Sequence, residues 1–162
     1  MALLPEMNFI RYAPHDYSNF TQFWKSESRY TTIMHTSKTC FFIDDDDDDR
    51  DFFCTAINSI DADMECRFAK DGIDALKQLN DNESFIPDNI FIDMNMPLMD
   101  GKQCLEEIKK LTRLNNSNVY IYSTAGSPKL IEEILSLGAT DFLIKPSNMN
   151  DLKQMLKKAV CD

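Results

Sequence analysis

Five short apolar runs, each separated from the next by an amphipathic stretch, constrain this chain more than any other feature. The runs are TCFFI (39–43), MECRF (64–68), NIFID (89–93), NVYIYS (118–123) and DFLIK (141–145). Four of them read as strands buried on both faces. MECRF alternates, with Met64, Cys66 and Phe68 on one face and Glu65 and Arg67 on the other, which suits an edge strand.

The segments between them carry helical periodicity. Residues 49–60 follow an acidic run that suits a helix N-terminus. Residues 72–80 turn Ile73, Leu76 and Leu79 to one side with Ala75 beside them, and residues 101–114 align Cys104, Leu105, Ile108, Leu111 and Leu114. Residues 127–139 carry Pro128 in the first turn and Gly138 at the end, and residues 147–160 close the pattern with lysines near a helix C-terminus. Strands alternating with helices predict an α/β fold, a doubly wound five-stranded parallel sheet with helices on both faces. An edge-like second strand fits the flavodoxin-like order 2-1-3-4-5.

The chain has 162 residues, enough for one ordinary domain with a core of its own. Its net charge of -10 argues against nucleic acid and anionic membrane as partners. No apolar stretch has the length of a membrane span and no secretory leader is present, so the expected location is cytoplasmic. The five cysteines include no C-x-x-C pair, and His15 and His35 lie outside the patterned region. Reduced thiols follow, rather than zinc or a disulfide framework. Residues 1–37 show no sustained period and read as a poorly ordered N-terminal extension to a domain over 38–162. A docking aromatic arm and a start at Met34 are alternatives.

In a sheet of this order the site lies beyond the carboxyl ends of strands one and three. Asp44 and Asp45 follow strand one, Asp93 ends strand three, Ser123 follows strand four and Lys145 follows strand five. Three carboxylates brought together repel one another, and a hard divalent cation such as Mg²⁺ resolves this. One carboxylate can then attack phosphorus to give an aspartyl phosphate, with Lys145 and the Ser123 hydroxyl meeting the transferred oxygens.

FFIDDDDDDR, DNIFIDMNMPLMDG, VYIYSTAG and GATDFLIKP stand in this order, and together they resemble the response regulator receiver domain of two-component signalling. The resemblance covers about residues 38 to 161 and is to chemotaxis-type, single-domain members. It implies that Asp93 accepts phosphate from a histidine kinase or phosphotransfer protein. It makes Asp44 and Asp45 the acidic pair, with Asp45 the more direct metal ligand, and gives the Asn95 backbone carbonyl to the metal. Lys145 pairs with the phosphoryl group, and a cis bond to Pro146 is typical. Ser123 is the switch hydroxyl, with Thr124 beside it as the alternative, and Phe142 holds the aromatic switch position. The output surface implied is the fourth helix, fifth strand and fifth helix, binding a downstream protein.

The chain ends just after the fifth helix, so a stand-alone receiver is expected, not an enzyme beyond phosphoryl acceptance and slow self-dephosphorylation. The alternative is a haloacid-dehalogenase-like phosphohydrolase using Asp44, since Asp44 and Asp46 form a D-x-D after an apolar strand. Against it, Asp48 stands where threonine or valine is expected. Of the remaining aspartates, Asp46 and Asp47 are assigned to the loop and helix entry. Asp48 and Asp49 are assigned to the first turn, where their charge favours the helix dipole. Asp100 with Gly101 reads as turn chemistry, and Met94, Met96 and Met99 as packing for their loop.

Overall fold

A computed structural model describes residues 38–161 of the chain. The expected extension over residues 1–37, its aromatic arm and the Met34 start lie outside the described residues. Five strands, β1 (Thr39–Ile43), β2 (Glu65–Ala69), β3 (Asn89–Asp93), β4 (Asn118–Ser123) and β5 (Asp141–Ile144), form one parallel sheet. Its order is β2-β1-β3-β4-β5, as the sequence predicts. The helices are α1 (Asp47–Ile60), α2 (Gly72–Asp81), α3 (Gly101–Lys110), α4 (Pro128–Ser136) and α5 (Met149–Cys161). No helix among the described residues is long and apolar enough to cross a membrane.

Alternation along the central strands feeds two cores. Cys40, Phe42, Phe91, Tyr120 and Tyr122 face α1 and α5, meeting Phe53, Ala56, Ile57, Leu152 and Leu156. Phe41, Ile43, Ile90, Ile92, Val119 and Ile121 face the other way, toward Leu79, Leu105, Ile108 and Ile134. Both faces of β1 and β3 are thus dry, which is why polar residues are confined to the first and last positions of those runs.

Helix starts follow local chemistry. The Asp46 carboxylate caps α1 by accepting from the N–H groups of Asp48 and Asp49, and Asp71 caps α2. Asp100 and Gln103 form a capping box at α3, and Ser127 caps α4 ahead of Pro128. Gly138 follows α4 at a φ of +95°, a conformation glycine adopts without the Cβ clash.

Several expectations at the sheet's edge change. Phe68 and Ile73, expected to face inward, are each 50% exposed. Phe68 lies on the outermost strand and Ile73 in the first turn of the helix that follows it, so both stand at the margin of the sheet. Helix α3 ends at Lys110, and a short 3₁₀ turn (Thr112–Leu114) carries Leu114 into the core. Apolar spacing continues through such a turn, so periodicity did not mark the break. Strand β2 starts at Glu65, β5 stops at Ile144 and α4 stops at Ser136, each within a few residues of the expected bound.

Candidate functional site

The carboxyl ends of β1, β3, β4 and β5 lie along one edge of the sheet, and Asp44, Asp93, Ser123 and Lys145 converge there. Asp44, Asp93 and Ser123 are buried, at 1%, 5% and 1% exposure. The Lys145 ammonium ties the site together. It donates to Asp44 Oδ2 at 2.8 Å, pairs with Asp93 Oδ1 at 2.7 Å, and donates to Asp49 Oδ2 at 2.7 Å. Its backbone N–H donates to the Ser123 carbonyl at 2.8 Å, which fixes the end of β5 to that of β4.

Each carboxylate is held from a second side. The Asp46 N–H donates to Asp44 Oδ1 at 2.9 Å, and the Asn95 N–H donates to Asp93 Oδ2 at 2.6 Å. The Arg50 guanidinium donates to the Asp44 carbonyl at 2.5 Å, pairs with Asp47, and lies 6.0 Å from the Phe68 ring centroid. Burial pushes the Asp44 carboxyl above its ordinary value, although the Lys145 hydrogen bond opposes the shift. Burial draws the Lys145 ammonium down, but its hydrogen bonds to Asp44, Asp49 and Asp93 win and hold it above its ordinary value.

Two packing features shape the loops beside the site. A Cβ on Gly101 would lie 2.8 Å from Met94 Cα and in contact with the Asp93 carbonyl, so only glycine fits there. The Gly101 N–H donates to the Met94 carbonyl at 3.0 Å, closing the loop that holds Asp93. In the loop after β4, a Cβ on Gly126 would meet the Phe142 ring at 2.7 Å, and Phe142 is buried. The Ser123 hydroxyl donates to the Ala125 carbonyl at 3.1 Å, while Thr124 is exposed.

Asp49 was assigned to the helix dipole, yet it reaches the site. The signal was in the helix phase: Asp49 lies four residues before buried Phe53, so it shares the inward stripe of α1. The cis bond that the resemblance implied before Pro146 is absent, since the described residues contain no cis peptide bond. Asp45 is exposed, and so is the Asn95 side chain. Among the described residues no three acidic, histidine or cysteine side chains enclose an ion. The donor set nevertheless suits Mg²⁺, which takes one or two carboxylates and keeps much of its water. Buried Asp44 and Asp93 share a single ammonium, and solvent reaches Asp45 beside them.

A family model of the response regulator receiver domain matches residues 40–157, and the chain belongs to that family. Over 114 residues it is 30% identical to the chemotaxis protein CheY of Listeria monocytogenes, covering 68% of this chain and 92% of that protein. It is 29% identical over 124 residues to hybrid signal transduction histidine kinase A of Dictyostelium discoideum, covering 75% of this chain. The chain spans only 6% of that kinase's length. Among solved structures, the phosphorylated cyanobacterial phytochrome response regulator RcpA is similar, with a TM-score of 0.69 and 26% identity over 76% of this chain and 91% of that one. The Mn²⁺-bound form of response regulator Rcp1 gives 0.65 and 25% identity over 75% and 90%.

This is a receiver of two-component signal transduction with the flavodoxin-like, CheY-type fold. Receivers are in general signalling modules, not enzymes. The phosphohydrolase alternative finds no support, and the D-x-D it needs is broken up because Asp46 is committed to capping α1.

Proposed function

We propose that Asp93 is the phosphoacceptor of a Mg²⁺-dependent phosphorelay step, and that its phosphorylation switches a protein-binding surface. The observation carrying this reading is the buried Asp93 carboxylate at the end of the acceptor strand, held by Lys145 at 2.7 Å and by the Asn95 N–H at 2.6 Å. An Asp93 oxygen attacks the phosphorus of a phosphohistidine on a histidine kinase or phosphotransfer protein. The O–P bond forms as the P–N bond breaks, and the departing imidazole nitrogen takes a proton. Asp44, Asp45, Asp93 and the Asn95 carbonyl would hold Mg²⁺, which when bound neutralises charge on the transferring oxygens. Lys145 keeps its contact with the acceptor and meets the added charge.

The Ser123 hydroxyl, turned to Ala125, rotates to donate to the phosphoryl group, and buried Phe142 follows the loop that carries Ser123, Thr124 and Gly126. Phosphate thereby biases the α4–β5–α5 face toward one conformation. That face already exposes Leu135 and Ile144, at 42% and 48%, as a binding surface for a downstream protein would. Residues 38–162 constitute this cytoplasmic module and residues 1–37 an extension to it. Nucleic acid and membrane are not partners, in keeping with the net charge of -10.

The test is incubation with Mg²⁺ and a small phosphodonor, followed by intact mass of wild type and Asp93→Asn. One hydroxylamine-labile phosphoryl adduct on wild type alone is expected. Equal labelling of the two proteins would overturn the Asp93 assignment.

A further inference from the structure

An ammonium has three N–H donors, and in this site all three are taken: by Asp44, Asp49 and Asp93, at 2.8, 2.7 and 2.7 Å. These partners are not equivalent. Asp44 and Asp93 are buried, whereas the Asp49 side chain is 44% exposed. Asp44 and Asp93 also each accept a backbone N–H at the site. Asp49 is the partner that can turn to water at little cost.

We infer that Asp49 is a positioning residue that competes with the phosphoryl group for Lys145 and thereby sets how tightly the receiver holds its phosphorylated state. The inference rests on Asp93 being the acceptor. A phosphoryl group on Asp93 adds oxygens that need donors, and Lys145 has none spare while Asp49 is bound. Accepting phosphate therefore requires Lys145 to exchange Asp49 for a phosphoryl oxygen. Asp49 sits in the first turn of α1, so the exchange also releases a tie between that helix and β5. An additional negative charge beside the ammonium works against the phosphoryl group directly.

Beryllofluoride, a phosphoryl surrogate, tests this at saturating Mg²⁺ with wild type, Asp49→Asn, Asp49→Glu and Asp48→Asn, followed by NMR. Asp49→Asn is expected to bind about fivefold more tightly, the scale of one partly exposed ion pair. Asp49→Glu should return toward wild type, and Asp48→Asn should match it, although it removes the same charge one residue away. Unchanged or weaker binding by Asp49→Asn, or an equal gain in Asp48→Asn, overturns the inference. Asp93→Asn separates the two readings: if it binds the surrogate as wild type does, the acceptor assignment fails. The ligand-free Lys145 ammonium resonance then decides the Asp49 contact alone. It should be sharp in wild type and Asp49→Glu and broadened in Asp49→Asn, and no change overturns the contact.

Discussion

Phe42 and Phe53 stack with ring centroids 4.1 Å apart and planes 16° from parallel. Phe42 lies just before the acidic run and Phe53 just after it, so the stack clamps its two ends and orients the aspartates between them. Phe53 also meets Phe91 at 5.0 Å and Tyr122 at 5.9 Å, which ties the clamp to β3 and β4. Phe53→Ala should cost about 3–5 kcal/mol of stability. Denaturant unfolding measures this, and a loss below about 1 kcal/mol would show that the clamp is not structural.

Lys145 compensates two buried carboxylates, and its side chain is only 13% exposed. Lys145→Met should destabilise the metal-free protein by about 3 kcal/mol, because Asp44 and Asp93 are left buried without their partner. Mg²⁺ should then restore more stability to the variant than it adds to wild type. Thermal melts with Mg²⁺ and with a chelator give both numbers, and equal shifts in the two proteins would contradict the shared role.

Gly101→Ala should move the Asp93 carbonyl and Met94, since the new methyl has no space beside them. Slower phosphodonor labelling is expected together with a lowered melting temperature. Labelling at the wild-type rate would mean that the loop relaxes without disturbing Asp93.

Burial raises the Tyr122 hydroxyl from its ordinary value of 10.0 to about 12, outweighing the attraction of Lys145. Burial raises Tyr120 as well. A group raised in the folded state adds stability below its unfolded value, and that stability is lost as pH rises through the folded one. Alkaline unfolding should therefore set in between about pH 10 and 12. Tyr122→Phe, which cannot ionise, should shift the onset upward in a tyrosinate absorbance titration.

The thiols should differ in reactivity. A hydrogen bond from Cys66 holds the Cys54 thiol below its ordinary value against the effect of burial, and raises Cys66 in turn. Burial pushes Cys104 to about 12 and Cys40 higher still. With limiting iodoacetamide in a Cys161→Ser background, Cys54 should be alkylated first among these four, as peptide mapping would reveal. Preferential labelling of Cys104 in the folded protein would refute this order.

β1, β3 and β4 match their expected bounds because strands buried on both faces must be apolar throughout, and turn residues interrupt the run at each end. Phe68 and Ile73 were misplaced because periodicity assigns a face to a residue but does not say whether anything packs on that face. Asp93, Ser123 and Lys145 were legible because topology alone sends parallel strand ends to one edge. The Asp49 contact needed the phase of α1 against a strand 96 residues away, and six identical aspartates offer no local contrast to mark it.

The bond between Asp44 and Lys145 spans 101 residues, and it has a consequence for a chain made from one end to the other. Asp44 and the strand that ends in Asp93 leave the ribosome well before β5. Until that last strand docks at the sheet edge, the aspartates lack their ammonium. The charge balance of the site therefore arrives with the final strand, and a molecule that stops short of β5 holds Asp44 and Asp93 without their common partner.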